Sequence, residues 1–244
     1  NGYLNKVTIN GQDIYPGDIL NDKDENAFRR VQIRETILSH LQKEKQLFEK
    51  GIKVLSLFFI DSVEKYRVYD EAGEQALGEY AKIFEEEYNS VRNDFLDLFQ
   101  QDYNDYLRDT DLATVHKGYM PVQYTEYLQR DDAYKVHAGY FSIDKKGKSV
   151  DPAVKRGSED SEDISAYDLI RRDKEKLLSF EEPTRFLFSH SALKEGWDNP
   201  NVFQICALKN AVSGSQTRRR QEVGRGMRLC VDKRGIRQDF ALIG

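Results

Sequence analysis

The chain has 244 residues, with 37 Lys and Arg against 42 Asp and Glu and a net charge of -5. That length suits one large domain or two small ones with a buried core, and 13 Phe with 14 Tyr exclude wholesale disorder. Two cysteines, Cys206 and Cys230, exclude a disulfide framework and a four-cysteine zinc site. The longest apolar runs, such as Leu55 to Ile60, fall far short of the roughly 20 residues needed to span a membrane. No basic segment leads into an apolar stretch as a secretory signal would, so a reducing cytoplasm is the expected setting. The first residue is Asn1, as expected of a piece of a longer protein.

Tyr3 to Tyr15 reads as a hairpin, with Val7 and Ile9 alternating with polar residues and Asn10-Gly11 as the turn. A helix is predicted from about Glu25 to Lys50, with Phe28, Val31, Ile33, Ile37, Leu38, Leu41 and Leu47 near helical spacing and Gly51 as its stop. Lys53 to Ile60 is almost continuously apolar, the mark of a strand buried on both faces of a parallel sheet. Asp61 to Tyr134 reads as mostly helical. Within it Leu77, Ala81, Phe84, Tyr88, Val91, Phe95 and Leu98 form a heptad-like seam, expected as a helix packed on the domain rather than a coiled coil.

Lys135 to His137 reads as a short strand, and the charged, Gly- and Ser-containing stretch from Asp144 to Asp163 as a mobile loop. Ser165 is a candidate cap for a helix from Ala166 to Phe180. Strands are predicted at Arg185 to Ser189 and Val202 to Leu208, a helix at Ser215 to Arg228, and a final strand from Phe240. Strands alternating with helices imply an α/β fold with a parallel sheet.

Charge is uneven. From Lys209 to Arg237 nine Lys or Arg face only Glu222 and Asp232, so an acidic chain carries one cationic segment. That pattern suits a phosphate site, with a solvated helix face as the plain alternative. Two segments carry chemistry. Ser191-Ala-Leu-Lys-Glu-Gly-Trp-Asp-Asn-Pro-Asn-Val202 follows a predicted strand; Gly196 permits a tight turn, and Asp198 offers a carboxylate to a ribose hydroxyl or a backbone amide. In Gln221-Glu-Val-Gly-Arg-Gly-Met-Arg228, spacings of four and three put Gln221, Arg225 and Arg228 on one helix face, and Gly224 allows close approach to it. Adjacent guanidiniums repel unless an anion lies between them, and phosphate oxygens suit their forked donors. Each segment alone is a weak signal; both in this order are far more specific.

The two segments resemble motifs V and VI of superfamily 2 helicases and translocases, and their wording is most similar to the Res subunits of type III restriction enzymes. The resemblance runs from about Val31 to the C-terminus, with Lys53 to Ile60 as the motif IV strand. It implies a second RecA-like domain over residues 1–244: a parallel sheet with helices on both faces, an N-terminal hairpin, a mainly helical insertion at about 62–134 and a mobile loop at about 144–163. It also implies an ATP site shared with a first RecA-like domain. There Arg225 and Arg228 would meet the γ-phosphate, Gln221 would position nucleotide or water, and Gly196, Asp198 and Gly224 would complete the nucleotide contacts. Ser191 and the turn around His137 would be weaker contacts to the DNA backbone. ATP and Mg2+, held mainly by the first domain, double-stranded DNA and a modification (methyltransferase) subunit are the implied cofactors and partners. The alternatives are a different superfamily 2 enzyme such as a repair helicase, or a non-catalytic DNA- or protein-binding module with this fold.

A phosphate loop is not found: Gly147-Lys148-Ser149 matches the end of the pattern, but Ser142 stands where its first glycine belongs. No magnesium-binding box or convincing nuclease site is present, and His40, His116, His137 and His190 lack metal-ligand spacing. The isolated chain is therefore expected not to hydrolyse ATP. Because both motifs lie outside the insertion, deleting Glu71 to Asp132 is expected to leave the sheet folded.

Overall fold

The computed structural model describes residues 7–9, 12–14, 22–108, 122–143, 149–150, 175–190, 201–208 and 230–238. It begins with an antiparallel hairpin of β1 (Val7–Ile9) and β2 (Gln12–Ile14), as the alternation predicts. Helix α1 (Asp22–Phe48) follows. Its buried face carries Ile33, Ile37, Leu41 and Leu47, whereas Val31 is largely exposed. The helix ends in a Schellman cap. Gly51 has φ +68°, its N–H bonds the Phe48 carbonyl at 2.9 Å, and the Ile52 N–H bonds the Leu47 carbonyl at 3.2 Å. Only glycine adopts that left-handed conformation without a steric penalty.

The central sheet is parallel, in the order β10-β3-β9-β6, built from β3 (Leu55–Ile60), β6 (His137–Tyr140), β9 (Phe186–His190) and β10 (Val202–Ala207). Every residue of β3 is buried, as an apolar run in a parallel sheet should be. Alternation divides its side chains between two layers. Phe58 and Ile60, with Phe186 and Phe188 of β9, face α1. Leu55, Leu57 and Phe59 pack with Leu187, Val202, Tyr140 and Leu177, the last from a helical turn at residues 175–178. Helical segments thus cover both faces, and the chain has the RecA-like α/β architecture.

The region between β3 and β6 departs from its helical prediction at its start. A 3-10 turn at Val63–Lys65 leads into an antiparallel hairpin of β4 (Arg67–Tyr69) and β5 (Gln75–Leu77). The Asp70 side chain accepts the Glu74 N–H at 2.8 Å, closing a turn that includes Gly73 at φ +87°. Helix α2 (Glu79–Arg108) then carries the predicted seam. Ala81, Phe84, Tyr88, Val91 and Phe95 are buried; Leu77 belongs to β5, and Leu98 is 54% exposed. Helix α3 (Val122–Arg130) completes the helical part.

The insertion is not a separable ornament. Phe84 packs edge-on against Phe186 and Phe188, with centroids 4.9 and 5.6 Å apart, and Tyr88 meets Phe186 at 5.9 Å. Helices α1, α2 and α3 share one apolar cluster with the sheet. Deleting Glu71 to Asp132 would remove α2 and α3 from that face and leave α1 alone to cover it, which argues against the expectation that the insertion is dispensable to the sheet.

A 3-10 turn at Ala133–Lys135 takes the first residue of the strand predicted there and Val136 caps it, so β6 starts at His137. The short strands β7 (Ser142–Ile143) and β8 (Ser149–Val150) pair beyond it. The rest of the predicted loop to Asp163, the helix start at Ser165, the Ser215 to Arg228 helix and the strand from Phe240 lie outside the described residues.

Candidate functional site

Ser191, Gly196, Asp198, Gln221, Gly224, Arg225 and Arg228 lie outside the described residues, which include the chain on either side of both motif segments. The first segment leaves the carboxyl end of β9 at His190 and re-enters at Asn201, at the amino end of β10. The second leaves after Leu208, whose N–H bonds the Phe59 carbonyl near the carboxyl edge, and re-enters at Cys230. Cys230 is buried with Leu47, Ile52 and Val54, just before the amino end of β3.

The two re-entry points are joined directly. Asn201 is buried, and its amide nitrogen donates to the carbonyls of Lys53 and Val231, both at 2.9 Å. Its side-chain oxygen accepts the Val231 N–H at 2.9 Å. The Asn201 carbonyl accepts the Leu55 N–H at 2.8 Å, and the Lys233 N–H bonds the Gly51 carbonyl at 2.8 Å. One carboxamide thus fastens together the start of β3, the end of the first segment and the end of the second. Asp198 and Arg228 each stand three residues before this junction in sequence.

Beyond the junction the chain turns back on itself. The Asp232 carboxylate accepts the N–H groups of Arg234 and Ile236 at 2.9 and 3.1 Å and pairs with the Arg234 guanidinium at 2.7 Å. Those contacts, led by the hydrogen bond from the Arg234 side chain, hold the carboxyl below its ordinary range. Arg234 is therefore committed within its own turn.

His137 does not join this junction or the start of the first segment. It pairs in register with Phe186, the first residue of β9, whereas Ser191 follows the last. Its ring is 3% exposed; Nδ1 lies 2.8 Å from the Tyr66 hydroxyl and Nε2 3.1 Å from a Glu85 carboxylate oxygen. A carboxylate can only accept, so Nε2 carries the hydrogen and Nδ1 accepts from Tyr66. Burial pushes the imidazole pKa down, against the pull of Glu85. With both nitrogens taken and almost no exposed surface, the side chain is structural, which corrects its assignment as a DNA-backbone contact. Among the described residues no group of three or more His, Cys, Asp or Glu could hold a metal ion, and no described helix is long and apolar enough to cross a membrane.

No family model matches the chain. Curated relatives do. The Res subunit of the type III restriction-modification enzyme EcoPI, from Escherichia phage P1, is 38% identical over 209 residues, 82% of this chain and 17% of the relative. A type III Res subunit from Escherichia coli is 35% identical over 242 residues, 94% of this chain and 21% of the relative. The StyLTI Res subunit of Salmonella typhimurium is 36% identical over 228 residues, 86% of this chain and 20% of the relative. The chain belongs to the type III restriction enzyme Res subunit family. It spans about a fifth of the length of these relatives.

In this Res-family chain, sequence reasoning missed two features. One is Asn201: its partners Lys53 and Val231 lie 148 and 30 residues away, so nothing local marks it. The other is a buried charge network under the sheet. Arg185, fully buried just before β9, donates to Glu44 at 2.9 Å and to the Tyr88 hydroxyl, and Tyr124 donates to the same Glu44 oxygen at 3.1 Å. Burial alone would raise the Glu44 pKa, but Arg185 and then His40 outweigh it and hold the carboxyl at about 2. The available signal was an arginine directly abutting the apolar run of a strand, where a charge must be paired or excluded.

Proposed function

We propose that the chain is the second RecA-like domain of an ATP-dependent DNA translocase that forms part of a type III restriction endonuclease. Residues 1–244 make that domain, with the helical insertion at about 62–134. The observation that supports this reading is the parallel sheet: the first motif segment follows the carboxyl end of β9, and the second follows Leu208 at the same edge, the edge at which open α/β sheets bind ligands.

The residue chemistry fits a nucleotide. Arg225 and Arg228 offer planar forked donors suited to phosphate oxygens, Gln221 shares their helical spacing, and Asp198 after Gly196 offers an acceptor to a ribose hydroxyl. Gly224 leaves room for the phosphates to approach. Guanidiniums fixed where negative charge grows during phosphoryl transfer lower the barrier more than they tighten ground-state binding. A first RecA-like domain would supply the phosphate loop and hold Mg2+, so the isolated chain would not turn over ATP. Ser191, next to the carboxyl end of β9, remains a candidate contact to the backbone of double-stranded DNA. A modification (methyltransferase) subunit would be the partner chain, in the cytoplasm where the DNA substrate lies.

The test is DNA-stimulated ATP turnover by the full-length protein. Arg225→Ala and Arg228→Ala are expected to lower kcat on the order of a thousandfold, with a smaller change in ATP binding. Arg219→Ala, off the shared helix face, is expected to change turnover little. Equal losses at Arg219 and Arg228 would replace a specific arginine role with general electrostatics.

A further inference from the structure

We propose that the exposed turn from Asp232 to Arg237 is a second contact to the DNA phosphate backbone, at the amino edge of the sheet, with Lys233 and Arg237 as its phosphate-binding side chains. The inference rests on the DNA reading above and adds a site to it.

The turn is both exposed and fixed. Residues 233–237 are all exposed, Ile236 by 50%. Beneath them Asp232 is buried and accepts the N–H groups of Arg234 and Ile236. The Lys233 N–H bonds the Gly51 carbonyl, the Gln238 N–H bonds the Cys230 carbonyl at 2.9 Å, and Val231 bridges to Arg237. The Asp232 carboxylate is engaged by the Arg234 guanidinium, whereas Lys233 and Arg237 have no carboxylate partner among the described residues. The Lys233 stem lies across Gly51, next in the chain to exposed Lys50 and Glu49. The backbone donors of the turn point inward: the Gly235 N–H also bonds the Asp232 carbonyl, at 2.9 Å. No nest of N–H groups is left to enclose one small anion. What faces outward is cationic side chains on a rigid frame, which suits a repeating anion held through charge alone, as a phosphate backbone is. In a chain of net charge -5, such a turn draws a polyanion to one place and leaves it repelled elsewhere. An acidic protein surface is the rival ligand. Protein interfaces centre on buried apolar anchors and are depleted of lysine, so Ile236 would be the anchor there and decides between the two. The six residues of β3 span about 20 Å at about 3.3 Å each, so this turn is well separated from the edge where the first motif segment leaves β9. It would therefore add affinity for DNA without acting on the nucleotide.

The experiment measures binding of the full-length protein to a labelled DNA duplex across a salt series, with DNA-stimulated ATP turnover at saturating DNA as a second readout. Lys233→Ala combined with Arg237→Ala should weaken binding and lower the slope of log affinity against log salt by about two. The deficit of this double variant should then shrink about tenfold between about 50 and about 200 mM salt. Its turnover at saturating DNA should match the parent. Arg34→Ala, which removes a charge from the helical face, should leave the slope unchanged, and Ile236→Ser should leave both slope and affinity near parental values. Lys233→Arg combined with Arg237→Lys exchanges the two cations and should keep the parental slope; that variant separates charge from any effect of the alanines on folding. A parental slope in the double alanine variant would overturn the proposal, as would a lost slope in the charge-exchanged one. A loss of binding with Ile236→Ser as large as that of the double variant would also overturn it, and would mark the turn as a protein-docking surface. If the parent itself shows no affinity for the duplex at low salt, the DNA reading fails instead, so the two failures are distinct.

Discussion

Two regions of this fold fix their chain segments by opposite means. At the amino edge of the sheet a single carboxamide joins three stretches of backbone through directional bonds of 2.9 Å, with little apolar surface beyond Leu47, Ile52, Val54 and Cys230. On the face beneath α1 and α2, rings from the sheet and the helices interlock, and one buried ion pair is set among them. Packing is non-directional and scales with area, so the second arrangement sets how stable the domain is. Hydrogen bonds contribute little net stability but fix position closely, so the first arrangement sets where the motif segments emerge. Loss of the amide should therefore be felt first in the local order of the sheet's amino edge, and loss from the aromatic face in global stability.

The largest expected break of that comparison is Arg185→Ala. Glu44 and Arg185 are both fully buried, and removing the cation leaves a carboxylate whose remaining hydrogen bond comes from Tyr124. Breaking one side of such a pair costs about 3–5 kcal/mol, to be read from urea unfolding of the chain. Replacing both Arg185 and Glu44 with apolar residues of similar volume should recover much of that loss, because the penalty belongs to the orphaned charge. If the single variant costs less than about 1 kcal/mol, the ion pair is not a keystone of the face, and the division between the two regions loses half its support.

How far these regions were legible in the sequence follows the same division. Packing announces itself: the run from Leu55 to Ile60, the α2 seam from Ala81 to Phe95 and the stop at Gly51 all appear as predicted. The β4–β5 hairpin was read as helix because three-residue strands carry too little alternation to compete with flanking helical periodicity. The inserted helix looked dispensable because motif position says nothing about whose rings cover Phe186 and Phe188. The motif wording pointed to the arginines, yet the amide that joins the two segments was invisible, because its partners are distant in sequence and its residue type is common in loops.

A smaller effect separates the regions by pH. Lys53 links them: its carbonyl accepts from Asn201, and its ammonium donates to the carbonyls of Ser179 and Glu182 at 2.8 and 2.5 Å. Burial, and then Arg185, push its pKa down to about 7 from 10.5. Between those values the unfolded chain binds the proton that the folded chain has released. The contribution to stability is full above 10.5 and is lost as pH falls through about 7. Stability should therefore rise with pH across this window, by at most about 1.4 kcal/mol per pH unit for one proton. The buried Tyr66 and Tyr127, with pKa values raised by burial, act with the opposite sign above about pH 10, where unfolded tyrosines ionise. Urea unfolding at several pH values from 7 to about 9.5 avoids that range. Lys53→Met should flatten the rise, and equal slopes in parent and variant would remove Lys53 from the account.

The smallest effect is expected where α1 and α2 exchange charges at the surface. Arg34 reaches Glu87 and Asp94, both at 3.0 Å, and Arg30 reaches Glu86 and Glu87 at 2.7 and 2.6 Å. These pairs resemble the Arg185–Glu44 contact in length but not in surroundings: Arg34 is 40% exposed and Asp94 66%, whereas Arg185 and Glu44 are both 0%. Glu87 is covered between the helices but keeps Arg30 as a partner when Arg34 is lost, and the other charges are solvated, so the Arg34 pairing gains little and ordering two long side chains offsets part of it. Arg34→Ala should cost less than about 1 kcal/mol. That cost should shrink further in salt, because at about 0.1 M the screening length is near 10 Å. The Arg185→Ala cost should hardly respond to the same salt, because no ions reach the buried site. Unfolding both variants at low and high salt compares two α1-anchored arginine contacts of nearly equal length, 3.0 and 2.9 Å. If the Arg34 loss matched the Arg185 loss and resisted salt, bond length rather than burial would govern these pairs, and the stability of the helical face would have to be reassigned from its packed rings to its charged seam.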